Sequence, residues 1–196
     1  MKTDKITVSS SGSQIETALQ QAEKVAAYKG LAPKQALHLR LLTEEMMGMM
    51  RSITGETEGQ FWIEDEENEY QLHLLVNTRM NIEKREQLLS ASSTGKNEAA
   101  KGLMGRLRNF FDQGADVPGL PLYHTESMGE YANASLDYEW SMMMYQNDLR
   151  QYVDTDDRAR EIWDELEKSV VTHVADDIKV SIRGPKAELI IIKKMA

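Results

Sequence analysis

An apolar stripe stepping three, four, three, four through Leu39, Leu42, Met46, Met49 and Ile53, followed by two apolar runs, constrains this chain more than any other feature. The stripe predicts a helix with one buried face. The runs Gln60–Asp65 and Tyr70–Val76 flank the polar stretch Glu64–Glu69 and predict a β-hairpin with an acidic, solvated tip. A one-faced helix and a one-faced hairpin must bury those faces against each other, which implies two layers around a shared core.

The remaining segments extend this plan. Ile6–Ser9 alternates as a short strand, and the polar run Ser9–Ser13 makes a turn. Ile15, Leu19, Ala22, Val25 and Ala26 recur at helical spacing between Gln14 and Tyr28, Gly30 stands where a helix C-cap belongs, and Pro33 suits the first turn of the next helix. Helix-rich stretches are expected at Ile82–Leu89 and Asn97–Phe111, a loop at Gln113–Ser127, and helices at Leu136–Val153 and Arg158–Val174. The last twenty residues read as a closing hairpin. The expected fold is α+β, a two-layer sandwich of a mostly antiparallel sheet with helices on one face. It forms a single domain over 1–196, with an atypical helical insertion at approximately 112–165.

Composition narrows the function classes. A net charge of −9 argues against a nucleic-acid binder, because phosphate contacts need a basic surface. The absence of cysteine excludes disulfides, thiol catalysis and Cys-ligated zinc. No run reaches the ~18 apolar residues of a membrane span, and Met1–Ser10 lacks the apolar core of a secretory signal. The expectation is a cytoplasmic protein with no membrane or nucleic-acid partner.

Three pieces carry a family resemblance: the opening strand, helix, Gly-containing link and helix; the segment Leu39-Arg-Leu-Leu-Thr-Glu-Glu; and the terminal Ala175-Asp-Asp-Ile-Lys-Val-Ser-Ile-Arg-Gly. Over residues 1–110 and 165–196 the chain resembles the ATPase fold of gyrase and histidine kinases, in particular anti-sigma-factor serine kinases. The resemblance implies a bacterial regulatory protein that binds ATP with magnesium, engages a sigma factor or an antagonist, phosphorylates a Ser on the antagonist, and can form a homodimer.

In that family a helical Glu acts as general base, and an Asn four residues later holds magnesium on the same helix face. The better register puts Glu45 at the base position and Met49 at the Asn position; a shift by one gives Glu44 and Gly48. A thioether is a poor ligand for a hard cation that prefers oxygen. The resemblance puts Asn77 where the family's adenine-reading Asp stands, with Arg79 and Asn81 in place of its glycines, and Gly102 and Gly105 as an echo of the phosphate loop. The expected function is thus an anti-sigma-type regulator with weak or lost ATP binding. The alternative is a non-catalytic protein-interaction module on the same scaffold.

Other signals have plainer readings. Ser93-Thr-Gly-Lys96 lacks the flanking residues of a Walker loop and reads as a polar capping loop. The clusters Met46, Met47, Met49, Met50 and Met142–Met144 suit adaptable core packing better than copper(I) binding; if they face each other, they fill the space a nucleotide would use. His38, His73, His124 and His173 show no metal-ligand spacing, and His73 is expected at the surface or half-buried in a strand. Asp154, Asp156 and Asp157 read as helix-capping and dipole partners. Tyr138, Trp140 and Tyr145 could serve a partner-binding face, with core packing the preferred reading.

Overall fold

The computed structural model describes residues 1–9, 13–54, 58–77, 138–183 and 186–195. The chain runs β1 (Ile6–Ser9), α1 (Ser13–Lys29), α2 (Pro33–Thr54), β2 (Glu58–Glu66), β3 (Glu69–Asn77), β4 (Tyr138–Ser141), α3 (Met142–Arg150), α4 (Asp157–Glu167), α5 (Val170–Val174), β5 (Asp177–Arg183) and β6 (Lys186–Lys194). The strands form one six-stranded sheet in the order β1-β2-β3-β6-β5-β4, every adjacent pair antiparallel. The expected α+β class with an antiparallel sheet is what the chain adopts.

Local chemistry sets the boundaries. Gly30 adopts φ +63°, and the bonds Gly30 N–H to Ala27 O (3.2 Å) and Leu31 N–H to Ala26 O (3.0 Å) close α1 with a Schellman cap. The Ala32 amide then donates to Gln35 Oε1 at 2.9 Å, one half of a capping box that starts α2. The hairpin tip is tighter than expected. Strands β2 and β3 pair as far as Glu66↔Glu69, leaving Glu67 and Asn68 at positive φ (47° and 70°) as a two-residue turn.

The register sorts the sheet into two faces. Val8↔Gly59↔Val76↔Ala187, Phe61↔Leu74↔Leu189↔Val180 and Ile63↔Leu72↔Ile191↔Ile178 are rows of directly opposed residues. All except Gly59 belong to the same buried cluster as Ala22, Leu39, Leu42, Met46 and Met50 of α1 and α2. Each fully buried Leu or Ile here contributes about 1.5–3 kcal/mol relative to exposure.

Two helix boundaries depart from expectation. Tyr138–Ser141 is not helical but pairs with β5 from Tyr138↔Ile182 to Ser141↔Lys179 as the edge strand, and α3 begins only at Met142 behind the N-cap Ser141. A long-range partner here overrides the local helical pattern. The segment expected as a helical insertion therefore contributes a strand to the same sheet. The stretch Arg158–Val174 is two helices, interrupted at Lys168–Ser169, where Thr172 Oγ1 donates to the carbonyls of Leu166 and Ser169. Readings that fall at Ile82–Leu89, Asn97–Phe111 and Gln113–Ser127 lie outside the described residues.

Gly59 is closely packed in the inner layer. A Cβ there would meet Leu74 Cδ1 at 3.0 Å, Val76 Cγ1 at 3.1 Å and the Leu75 carbonyl oxygen at 3.2 Å. Gly59→Ala is expected to lower stability by about 1–3 kcal/mol, since the backbone oxygen cannot yield as a side chain can; chemical denaturation of the two proteins measures this.

Candidate functional site

Helix α2 carries the residues to which the family resemblance assigns catalysis, and its packing decides which of them face outward. Leu39, Leu42, Thr43, Met46, Met47, Met49 and Met50 are buried, with the Thr43 hydroxyl satisfied by the Leu39 carbonyl at 2.8 Å. Glu45 lies half-buried at the border of that face, and Glu44 and Gly48 are exposed. Met49 is only 2% exposed and is part of the core. The Glu45–Met49 register thus pairs a border carboxylate with a core thioether, and the Glu44–Gly48 register pairs two surface positions. Neither supplies two oxygen ligands to one cation.

Asn77 ends β3, paired through its backbone position with Lys186; its side chain, together with Arg79, Asn81, Ser93–Lys96, Gly102 and Gly105, lies outside the described residues. Of the two methionine clusters, Met142 joins the α2 methionines in the core, but Met143 and Met144 are exposed (51% and 39%). Tyr145 is buried, as the core reading expected. A cavity of about 310 Å³ lies at the end of the sheet, lined by Thr7, Gln60 and Leu75 with Glu58 and Lys186. Thr7↔Gln60↔Leu75 is a row on the outer face, opposite α2, and Glu45 is not part of it.

The expectation of a solvated acidic tip fails at its base. Asp65 is held by Lys29 Nζ at 2.5 Å and by the N-terminal amine at 3.1 Å, with its side chain only 6% exposed. Burial pushes the Asp65 carboxyl up, but the Lys29 and N-terminal cations outweigh it, and the net effect holds the group below its ordinary range. Glu64 is likewise held low, first by Lys2 Nζ at 2.7 Å and then by Trp62 Nε1–H at 2.7 Å. The sequence could not signal the ion pairs with Lys2, Lys29 and the N-terminal amine, because those partners lie across the fold.

Asp177 is another residue whose part the sequence does not announce. Buried at the start of β5, its Oδ1 accepts from the amides of Met143 (3.0 Å) and Ile178 (2.8 Å), and the Ser141 hydroxyl donates within 3.1 Å of both its oxygens. A carboxylate at the first turn of α3 satisfies orphan amides and complements the helix dipole. These bonds fasten the β4–α3 junction to β5.

Among the described residues no group of three His, Cys, Asp or Glu could hold a metal ion, and no helix is long and apolar enough to cross a membrane. No protein-family model, no curated protein and no solved structure matches the chain.

Because the Asp65 carboxyl is held low in the fold, its contribution is present above the ordinary carboxylate range, about pH 4, and is lost as pH falls below that range. Asp65→Asn is therefore expected to lower the unfolding midpoint at pH 7, with the gap to the parent chain closing toward pH 2.5. Thermal unfolding across that range checks the sign.

Proposed function

We propose that the chain is a non-catalytic protein-interaction module on a histidine-kinase-like ATPase scaffold. The observation that carries this reading is the burial of Met49. At the position where the resemblance requires an oxygen ligand for magnesium, a thioether faces the core, leaving Glu45 without a metal-holding neighbour one turn away. The scaffold half of the reading is supported by the β-α-α-β-β order of the first 77 residues and by the pairing of β3 with β6, which brings the two resembling ends side by side beneath α2. The interaction half is supported by exposed apolar side chains in the α3–α5 region, Met143, Met144, Tyr152 and Val170. The proposed partner is a regulatory protein of the sigma-factor or antagonist kind, and the proposed setting is the cytoplasm.

The competing reading, a serine kinase of anti-sigma type, retains the half-buried Glu45 as its base and Asn77 as its adenine contact. Thermal unfolding with and without millimolar Mg-ATP separates the two. A ligand present at a hundred times its dissociation constant adds about 2.7 kcal/mol, and the interaction-module reading expects no shift in either the parent chain or Glu45→Ala. A rise in midpoint that requires magnesium, together with loss of phosphoryl transfer in Glu45→Ala, would establish the kinase reading instead.

A further inference from the structure

The chain has no cysteine, so the methionine thioethers are its only sulfur and the only side chains open to reversible sulfur oxidation. Burial divides them sharply. Met46, Met47, Met49, Met50, Met142 and Met195 are each 5% exposed or less. Met143 and Met144, consecutive in the first turn of α3, are 51% and 39% exposed. Among the described residues the other exposed methionine is Met1, in the lead-in to β1.

What sets the α3 pair apart is the backbone beneath it. The Met143 amide donates to Asp177 Oδ1 at 3.0 Å and the Met144 amide to Ser141 Oγ at 3.4 Å, and both acceptor residues are buried. The first amides of a helix have no partner within it and take up any acceptor nearby; here the amides of both residues are already occupied. An oxygen added to either sulfur therefore meets water rather than the amides of its own turn. That turn is held to β5 through Asp177 and to the core through Met142.

We propose that Met143–Met144 is a site of reversible methionine oxidation, at which peroxide changes the surface of α3 and leaves the fold intact. The thioether sulfur attacks one oxygen of hydrogen peroxide. An S–O bond forms as the O–O bond breaks, and the departing hydroxide takes the proton from the transferred oxygen and leaves as water. Sulfur gives up two electrons and the peroxide accepts them. The product is a polar, chiral sulfoxide, which sulfoxide reductases return to the thioether. Two such changes side by side turn an apolar stretch of helix polar. On the interaction-module reading these two side chains belong to the contact face, and a partner seated there is held less tightly after oxidation. That consequence rests on the reading; the chemistry at the sulfurs does not.

The test treats the folded parent chain with hydrogen peroxide and follows each methionine by tandem mass spectrometry of its peptides. Met143 and Met144 are expected to gain one oxygen each, about tenfold or more faster than Met46, Met47, Met49, Met50 and Met142, which react only through local opening. The unfolding midpoint of the chain oxidised at the pair is expected to match that of the parent. On a hydrophobic-interaction column the oxidised parent is expected to elute earlier, and sulfoxide reductase is expected to restore its position. The double variant Met143→Leu/Met144→Leu keeps the volume and apolar character of the pair but offers no sulfur, and is expected to lose most of that shift. Equal oxidation rates at the pair and at Met142 would overturn the proposal, as would a midpoint that falls once the pair is oxidised or a pair the reductase leaves oxidised. All three are read on the parent chain and stand even if the variant fails to fold. Equal column shifts in parent and variant would overturn it too. None of these readouts involves nucleotide, so the Mg-ATP comparison decides the interaction-module reading separately.

Discussion

The structure depends on the pairing of β3 with β6. Their register runs without interruption from Glu69↔Lys194 to Asn77↔Lys186 and joins the N-terminal hairpin to the C-terminal one. Without it the chain holds two hairpins with half-buried faces, and a lone hairpin is marginal in water. With it, Leu72 and Leu74 meet Ile191 and Leu189, and the sheet becomes wide enough for α1 and α2 to cover. The pairing closes a loop of more than a hundred residues, a cost that local helix formation cannot offset by itself. Contacts so distant in sequence are expected to form late, after the helices and the two hairpins.

The inner and outer faces solve different problems. The inner face is packed with aliphatic side chains, and its four α2 methionines fit the irregular space between helix and sheet. That packing bears on the proposed function, because Met49 is drawn into the core at the position where the family resemblance would call for a metal ligand. On the outer face Lys2, Lys5, Glu64, His73 and Glu188 gather around Trp62; on the α1 side of the sheet Lys29 and the N-terminal amine converge on Asp65 at the hairpin base. These ionic contacts hold the lead-in segment against β2, where Thr3 also exchanges bonds with Ile63 at 2.9 Å.

Capping shows how far local chemistry reaches. Gly30 and Pro33 mark the α1–α2 junction in both sequence and structure, because a left-handed cap and a fixed helical φ are properties of single residues. Ser141 caps α3 in a way the sequence did not announce, because the cap rests on Asp177, which arrives from a strand 36 residues away. The Tyr138–Ser141 strand was missed for the same reason. Four residues at a sheet edge carry too little pattern to outweigh a continuing helical period, and their conformation comes from pairing with β5.

What the sequence determined by itself is the class and most of the elements. The 3.6-residue stripe of α2, the alternation of β2 and β3 and the closing hairpin are local periodicities, written wherever one face must be apolar. It also determined which residues could be compared with a catalytic helix. Only the tertiary structure decided that Met49 belongs to the core, that Glu45 stands at its border, that Asp65 is ion-paired, and that His73 is buried between two carboxylates. Burial and charge environment are set by what packs against a residue, and those partners are brought together by pairings that local periodicity does not encode.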